Sequence, residues 1–245
     1  MTVSLFLSFE AKGKKQPKLS ATDRAGAVAL VRGLPGVLEG RVYAPSPKGS
    51  KDPYLDDGAP PVMVVQLEFA TIADLEAVCT ESSALRHFGN PYYFPSLAGT
   101  TGRHQAFAPR RYPVPEEQEE DETTNWCSYL VEYEGPAADW NEWMAHYVGH
   151  HPYIMAKFPE IVMIEISSPL GFVTYLPYAV STSIQRNKVV FESQAKLNAA
   201  LASPVRHEMR ADFKKFPPFK GGNTHFAMDT RLVLPAESDD IVILA

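Results

Sequence analysis

An internal repeat limits the possible folds of this chain more than any other feature of the sequence. Residues 3–11 (VSLFLSFEA) align with residues 127–135 (CSYLVEYEG) at an offset of 124. Further along the chain the offset drifts to 122, so that Phe69 aligns with Phe191. The matches keep the same order over about 90 residues. This collinearity predicts one structural unit that is present twice.

Each copy of the unit reads as strand, helix, strand, strand, helix and strand. In the first strand Leu5 and Leu7 alternate with Ser4 and Ser8, the period of a strand with one buried face. The predicted strands are 3–11, 37–43, 61–69 and 103–108 in the first copy and 127–135, 161–167, 180–191 and 225–234 in the second. The predicted helices are 23–34 and one beginning at Thr71, then 138–158 and one capped by Ser193. This order is the ferredoxin-like βαββαβ unit.

We therefore predict an α+β protein in which two ferredoxin-like repeats form an α+β barrel within one chain. A four-stranded sheet with helices on one face must cover its other face, and a second copy can cover it. The predicted domains are residues 1–112, a structural partner, and residues 125–245, which carry the site. Residues 113–124 form an acidic, proline-containing linker, predicted to be an exposed tether that repels itself.

The composition argues against several classes of protein. The net charge of −6 is unfavourable for a nucleic-acid partner. The apolar runs are strand-length, far below the ~20 residues of a membrane-spanning helix, and the N-terminus lacks a signal-peptide pattern. Two cysteines cannot form a disulfide framework, so we expect free thiols and a cytoplasmic protein. Because the repeat supplies its own partner, we expect a monomer or a homodimer.

Two segments of the second copy carry a family resemblance. Residues 139–159 (DWNEWMAHYVGHHPYIMAKFP) form an aromatic-rich helix that ends near a His-His-Pro sequence, and Ala211-Asp212 in a later helix is followed by aromatics. Both segments resemble the EthD-like family of the dimeric α+β barrel superfamily. The resemblance implies a barrel of two sheets with a cavity between sheet and helices. It does not imply one reaction, since the superfamily includes cofactor-free lyases, isomerases and cyclases, monooxygenases and haem-binding proteins.

Three histidines cluster on the predicted long helix of the second copy. His150 takes the place of the family's histidine and borders an apolar stripe, so we predict that it is the central proton-transfer residue. His146, one turn earlier, is predicted to orient it or to act as a second acid–base group. A neutral imidazole can accept or give a proton near neutral pH. His151 would point into the centre of the stripe, but the proline that follows it disfavours helical geometry there.

Aromatic residues complete the predicted site. Tyr147 is predicted to be catalytic as a hydrogen-bond donor, and His151, Trp143 and Tyr129 are predicted to contact the substrate. Trp143 and Tyr147 also belong to a helical stripe at i and i+4, so packing in the core is the alternative for them.

These residues predict a cofactor-independent lyase, isomerase or cyclase that acts on a small aromatic or lactone-like metabolite. The alternative is a non-catalytic small-molecule or haem-binding protein on the same scaffold. We predict no metal site, because Tyr147 follows His146 where a zinc-protease motif has glutamate. The alternative is that these histidines bind haem or a divalent metal. The sequence contains no glycine-rich phosphate loop and no Gly-x-Ser-x-Gly elbow.

Overall fold

The structure is a computed structural model and describes residues 2–13 and 17–236. In these residues the strands are β1 (Val3–Ala11), β2 (Val37–Pro45), β3 (Met63–Phe69), β4 (Thr100–Tyr112), β5 (Trp126–Glu134), β6 (Met163–Leu170), β7 (Ala179–Val180), β8 (Ser183–Phe191) and β9 (Asn223–Val233). The α-helices are α1 (Ala21–Arg32), α2 (Ile72–Ala77), α3 (Trp140–Met155), α4 (Gln194–Leu201) and α5 (Pro204–Phe213). Two short 3-10 helices, Ala84–Gly89 and Pro95–Leu97, lie between α2 and β4. The last nine residues of the predicted second domain lie outside the described residues.

Eight of the described strands close into an antiparallel barrel. Their order is β1-β3-β2-β9-β5-β8-β6-β4, and β4 returns to pair with β1. The last strand of each half crosses to the other half: β9 pairs with β2, and β4 pairs with β6. The short strand β7 adds to β4 in parallel. The predicted α+β barrel within one chain is therefore confirmed. No helix in the described ranges is long and apolar enough to cross a membrane.

The helices pack on the outside of the barrel, over two apolar cores. On β1, Leu5 and Leu7 belong to the core beneath α1 and α2, whereas Phe6 between them faces the lumen. On β5, Tyr129 and Val131 belong to the second core, beneath α3, α4 and α5. Alternation along each strand thus places one set of side chains inside the barrel and the other under the helices.

Polar residues begin the helices where the sequence predicts. Thr71 and Asp74 form a complete capping box at the start of α2. The side chain of Ser193 accepts a hydrogen bond from the backbone N–H of Lys196 at the start of α4. Both predicted N-caps are confirmed. Each satisfies a backbone N–H that has no partner within the helix, which typically contributes about 1 kcal/mol.

One end of the barrel lumen contains a cluster of buried charges. The Lys188 Nζ lies 3.4 Å from Glu165 Oε2 and 3.3 Å from Gln66 Oε1, and both charged side chains are about 1% exposed. The guanidinium of Arg41, also buried, lies 3.3 Å from Glu68. Burial alone would raise the pKa of Glu165, but the positive charges, Lys188 first, outweigh it and lower that pKa to about 2. Glu165 is therefore an ionised partner for these cations.

Most residues of the acidic linker are exposed, as the sequence predicts, but one of its carboxylates takes part in this cluster. The Glu120 carboxylate is 2% exposed and lies 2.5 Å from Arg41 Nη2. Glu122 pairs with Arg32 of α1 at the surface. A buried arginine requires a counter-charge, and the linker supplies one at the barrel end. These two ion pairs attach the linker to the first half, which its charge pattern alone does not predict.

Candidate active site

The candidate site is a narrow cavity in the second half, between the sheet and helices α3, α4 and α5. It encloses about 50 Å³, room for a few water molecules as the side chains stand. Its apolar lining consists of Leu55, Val131, Met155, Phe158, Val189, Phe191, Leu197, Leu201, Met209 and Phe213. The polar lining residues are Tyr129, Tyr133, His151, Asn187, Arg206, Arg210, Asn223 and His225. A mostly apolar cavity with a few polar groups is typical of sites for small molecules.

A histidine–aspartate pair lies at the wall of this cavity. His151 Nδ1 and Asp212 Oδ2 are 2.8 Å apart, and both side chains are more than nine-tenths buried. The hydrogen bond with His151 lowers the pKa of Asp212, so the carboxylate is ionised and can only accept. The proton of a neutral His151 therefore sits on Nδ1, which leaves the Nε2 lone pair free.

Burial prepares His151 to act as a base. It lowers the pKa of His151 below 6.5, although Asp212 acts in the opposite direction. Electrostatic interactions with His225 and Arg206 lower the pKa of His151 further. No described residue forms a hydrogen bond with Nε2 of His151. At neutral pH the imidazole is thus neutral, with its proton on Nδ1 and an available Nε2 lone pair beside an apolar cavity.

Behind the cavity, a buried amide and two phenols form a polar wall. Asn187 Nδ2 donates to Tyr147 Oη at 2.5 Å, while Asn187 Oδ1 is buried without a partner among the described residues. The Tyr133 ring lies 5.5 Å from that of Tyr147. Burial raises the pKa of both tyrosines, so both remain protonated donors. An unpaired buried oxygen is costly, which makes Asn187 a candidate contact for a ligand donor.

The structure does not place the predicted central residue, His150, in the cavity. His150 is exposed, and its Nδ1 lies 2.9 Å from the backbone carbonyl of His146. His146 is 21% exposed, and its Nε2 lies 3.6 Å from Asp212 Oδ1. The reason is the direction of the helical stripe, which follows Trp143, Tyr147 and His151 at steps of four residues and turns away from His150.

Pro152 does not interrupt the helix, although the sequence predicts that it disfavours helical geometry at His151. Helix α3 continues through Pro152 to Met155. Proline has no N–H for the carbonyl of Val148, four residues earlier. That carbonyl accepts a hydrogen bond from Tyr112 Oη at 3.1 Å instead. A side chain of β4 thus supplies the missing donor and keeps His151 on the buried face.

Two predicted substrate-contact residues, His151 and Tyr129, line the cavity, and the third does not. Trp143 is fully buried behind it, packed against Tyr133, Tyr147 and Phe216. Tyr147, predicted to be catalytic, is also fully buried and reaches the cavity through Asn187.

The described residues contain no group of three or more His, Cys, Asp or Glu side chains that could hold a metal ion.

No protein-family profile and no curated protein matches the sequence. Solved structures do match. An anthrone oxidase-like protein is similar with a TM-score of 0.62 and 10% identity, over 96% of this chain and 94% of that one. A candidate monooxygenase from Fusobacterium nucleatum has a TM-score of 0.60 and 7% identity, over 95% and 94% of the two chains.

The chain has the fold of the dimeric α+β barrels. The barrel fold predicted from the sequence is therefore found among solved structures as well. An EthD family protein from Bacillus halodurans is also similar, at 17% identity and a TM-score of 0.33, over 40% of this chain and 96% of that one.

In this dimeric α+β barrel the first half supplies a cover for the cavity of the second. The covering segment is the β2–β3 connection, residues 46–62, of which Leu55 lines the cavity. The fully buried carboxylate of Asp52 accepts two hydrogen bonds from Arg206, from Nε at 2.7 Å and Nη2 at 3.0 Å. Tyr129 Oη donates to the same carboxylate at 3.1 Å. A two-pronged arginine–carboxylate contact gives strength and orientation together.

A second carboxylate of the covering segment binds the last strand. Asp57 accepts a hydrogen bond from the backbone N–H of His225 at 2.8 Å and lies 3.1 Å from its Nδ1. Sequence reasoning missed Asp52, Arg206 and His225. Their partners are more than 150 residues away along the chain, so no local pattern connects them.

We predict that Asp52→Asn loosens the cover. An amide has one acceptor oxygen and no charge, so at least one charge-assisted hydrogen bond, worth about 1.5–3 kcal/mol, is lost. Backbone amides of residues 46–62 should exchange with deuterium about tenfold faster or more. The matched control is Asp56→Asn, an exposed carboxylate of the same segment. Equal exchange in both variants would show that Asp52 does not hold the cover.

Proposed function

We propose that this protein is an enzyme that removes a proton from a small aromatic substrate, without an organic cofactor. One observation carries the proposal: the free Nε2 of a buried, neutral His151 beside an apolar cavity. Lyases, isomerases and cyclases of carbonyl compounds share proton abstraction next to a carbonyl as their first step. The proposal thus keeps the predicted reaction types and moves the base from His150 to His151.

In the proposed reaction His151 Nε2 takes the proton, and the imidazolium that forms is stabilised by Asp212. The carboxylate also keeps the ring in the required tautomer and orientation. The electron pair left on the substrate moves onto its carbonyl oxygen as an enolate. Arg206 uses Nε and Nη2 for Asp52, so its Nη1 is a candidate donor to that oxygen. The apolar lining excludes water and strengthens both interactions.

The comparisons support an aromatic ketone as substrate. An anthrone is a tricyclic aromatic ketone whose CH₂ group is made acidic by two flanking rings and, through them, by the carbonyl. The name of the anthrone oxidase-like neighbour therefore fits a site that begins with loss of a proton from carbon. The phenyl side chains at the cavity, Phe158, Phe191 and Phe213, suit a planar aromatic molecule.

We also infer that the halves of the barrel are two copies of one ferredoxin-like unit. The first is ordered β4-β1-β3-β2 and the second β9-β5-β8-β6, so in each half the strands lie in the order fourth, first, third, second. The aligned residues of β1 and β5 are sequence evidence for the same duplication. Because the two halves close one barrel, the proposal requires no second chain.

The alternative of haem binding has less support at this site than proton transfer. Haem would need the Nε2 of His151, the one predicted histidine that lines the cavity, as an iron ligand. The enclosed 50 Å³ would have to widen much further for a haem than for a small aromatic molecule. We derive no step through haem.

Deuterium exchange tests the proposal without knowledge of the product. The protein is incubated in D₂O with a panel of aryl ketones, anthrone among them, and NMR measures deuterium at the acidic carbon. Exchange well above the buffer rate, and dependent on His151, supports the proposal. A purified protein that accelerates no exchange across the panel would contradict it.

The pH dependence of this exchange has a predicted sign. The rate should fall as pH drops through the pKa of His151, which burial lowers below 6.5, so activity should persist below pH 6.5. Asp212→Asn removes the charge that raises this pKa. The acidic limb should then move to lower pH while the maximal rate falls. A limb that stays in place would indicate that another group titrates.

A further inference from the structure

The strand registers relate the cavity of the second half to a defined place in the first half. Leu7 pairs with His104 across β1 and β4, and the aligned residue Val131 pairs with His225 across β5 and β9. His104 and His225 therefore occupy equivalent positions. Each contacts a connection from the opposite half: His104 Nε2 lies 2.9 Å from Thr174 in the β6–β7 connection, and His225 contacts Asp57 of the covering segment.

The same registers show which side chains differ between the two places. Phe9 is equivalent to Tyr133, and Gly102, its partner, is equivalent to Asn223. Likewise Val65 of the first half is equivalent to Asn187 of the second. The second half therefore has polar groups where the first has apolar ones.

In the first half this place is filled by a side chain. The Tyr178 ring lies edge-on to Phe9 at 5.4 Å, and also contacts His104 at 6.2 Å. A Cβ added at Gly102 would lie 2.5 Å from the Tyr178 ring, so glycine makes room for it. The Tyr178 hydroxyl donates to the carbonyl of Leu85 at 2.7 Å and accepts from the N–H of Gly89.

In the second half, none of the described residues of the covering segment fills the equivalent place with an aromatic ring. Its covering segment contributes Leu55 to the cavity and no aromatic side chain. The aromatic of that segment, Tyr54, instead lies outside, where it contacts His207 and Arg206. In the second half, the place equivalent to the one that Tyr178 fills thus adjoins the open cavity.

We propose that Tyr178 occupies, within the protein, the place that a phenol ring of the ligand takes in the second half. The ligand would be a planar hydroxyaryl compound whose ring lies edge-on to Tyr133, between Asn223 and His225. The inference rests on the proposed function for the role of this cavity and narrows its substrate to phenols. It also makes the equivalent place in the first half a second site, which Tyr178 from the second half closes.

The test uses p-cresol, the side-chain analogue of tyrosine, with methionine-methyl NMR as the readout. Met155 and Met209 line the second-half cavity, and Met63 pairs with Phe9 in the first half. In the natural protein p-cresol should shift Met155 and Met209 and leave Met63 unchanged. In Tyr178→Ala it should shift all three, since a second site has opened. The non-planar 4-methylcyclohexanol should bind at least tenfold more weakly to both proteins.

Leu55→Trp is the matched variant, because it changes the covering segment and leaves the sheet intact. It should fill the second-half cavity and abolish the shifts of Met155 and Met209. In the double variant with Tyr178→Ala, Met63 alone should respond. One site in the natural protein and two in Tyr178→Ala support the inference, whatever the ketone exchange assay gives. Equal binding of the cyclohexanol, or no new site after Tyr178→Ala, would overturn it.

Discussion

Replacement of His151 by asparagine is expected to slow ketone deuterium exchange about 10²–10⁴-fold, the usual cost of losing a general base. Asparagine can place its amide N–H near the position of Nδ1 and so keep the hydrogen bond to Asp212. It lacks the basic nitrogen that faces the cavity. The fold should therefore remain while the chemistry is lost, and exchange rates with thermal melting measure the two effects separately.

The control for this experiment is His150→Asn, one residue earlier on α3. His150 is exposed and lies outside the cavity, so its variant should exchange within about threefold of the natural protein. If His150→Asn instead gave the large loss and His151→Asn did not, the base would be His150, as the sequence alone predicts. Equal rates in all three proteins would exclude both histidines.

Lys188→Met is expected to lower the free energy of unfolding by roughly 3–5 kcal/mol, the largest stability effect we predict. Methionine has a similar length but no charge, and Glu165 would lose the ammonium 3.4 Å away while remaining buried. Arg111, at 3.2 Å, and Gln66, at 2.8 Å, would still contact Glu165. Urea unfolding measures the change.

Two further variants separate pairing from packing. Lys157→Met removes an exposed lysine that pairs with Glu208 at 2.8 Å and should cost less than about 1 kcal/mol. Adding Glu165→Gln to Lys188→Met should recover part of the loss, because the unpaired charge disappears. A Lys188→Met protein as stable as the natural one would show that this ion pair contributes nothing net.

The pH dependence of stability should reflect the same cluster of buried charges. The pKa of Glu165 is lowered in the folded state, so its contribution to stability is full above its unfolded pKa, near 4.5. That contribution is lost as pH falls towards 2. The folded pKa of Glu68 is raised, by burial first and then by Glu165, to about 7. Its contribution to stability therefore has the opposite pH dependence: it is full below about pH 4.5 and is lost as pH rises to about 7.

The fold could be predicted from the sequence because its signals are local. Alternation gave β1 its bounds, and side-chain caps marked the starts of α2 and α4. The repeat then indicated how two sheets cover each other. The burial of Glu120 in the linker could not be predicted from local signals, since it depends on Arg41, about 80 residues away along the chain. Charge alone indicated exposure.

The site was predicted less well, for reasons of direction and distance. The helix that the sequence singles out does line the cavity, but a shift of one residue along it moves a side chain by 100°, from the solvent at His150 to the cavity at His151. Pro152 gave a misleading signal because the donor that replaces its missing N–H, the Tyr112 hydroxyl, lies on a distant strand. The partner Asp212 stood in the sequence beside Ala211, yet only the packing of α5 on α3 gives it a role.

The crossing of β9 to β2 affects how such a chain can be made. Gly40 pairs with Val233, so an edge of the first sheet stays open until almost the last described residue has left the ribosome. Pairings of such long range are slow to form, and open edges can bind other chains. We expect a nascent chain halted after residue 222 to be held by chaperones or to aggregate, although more than nine-tenths of its sequence has been synthesised.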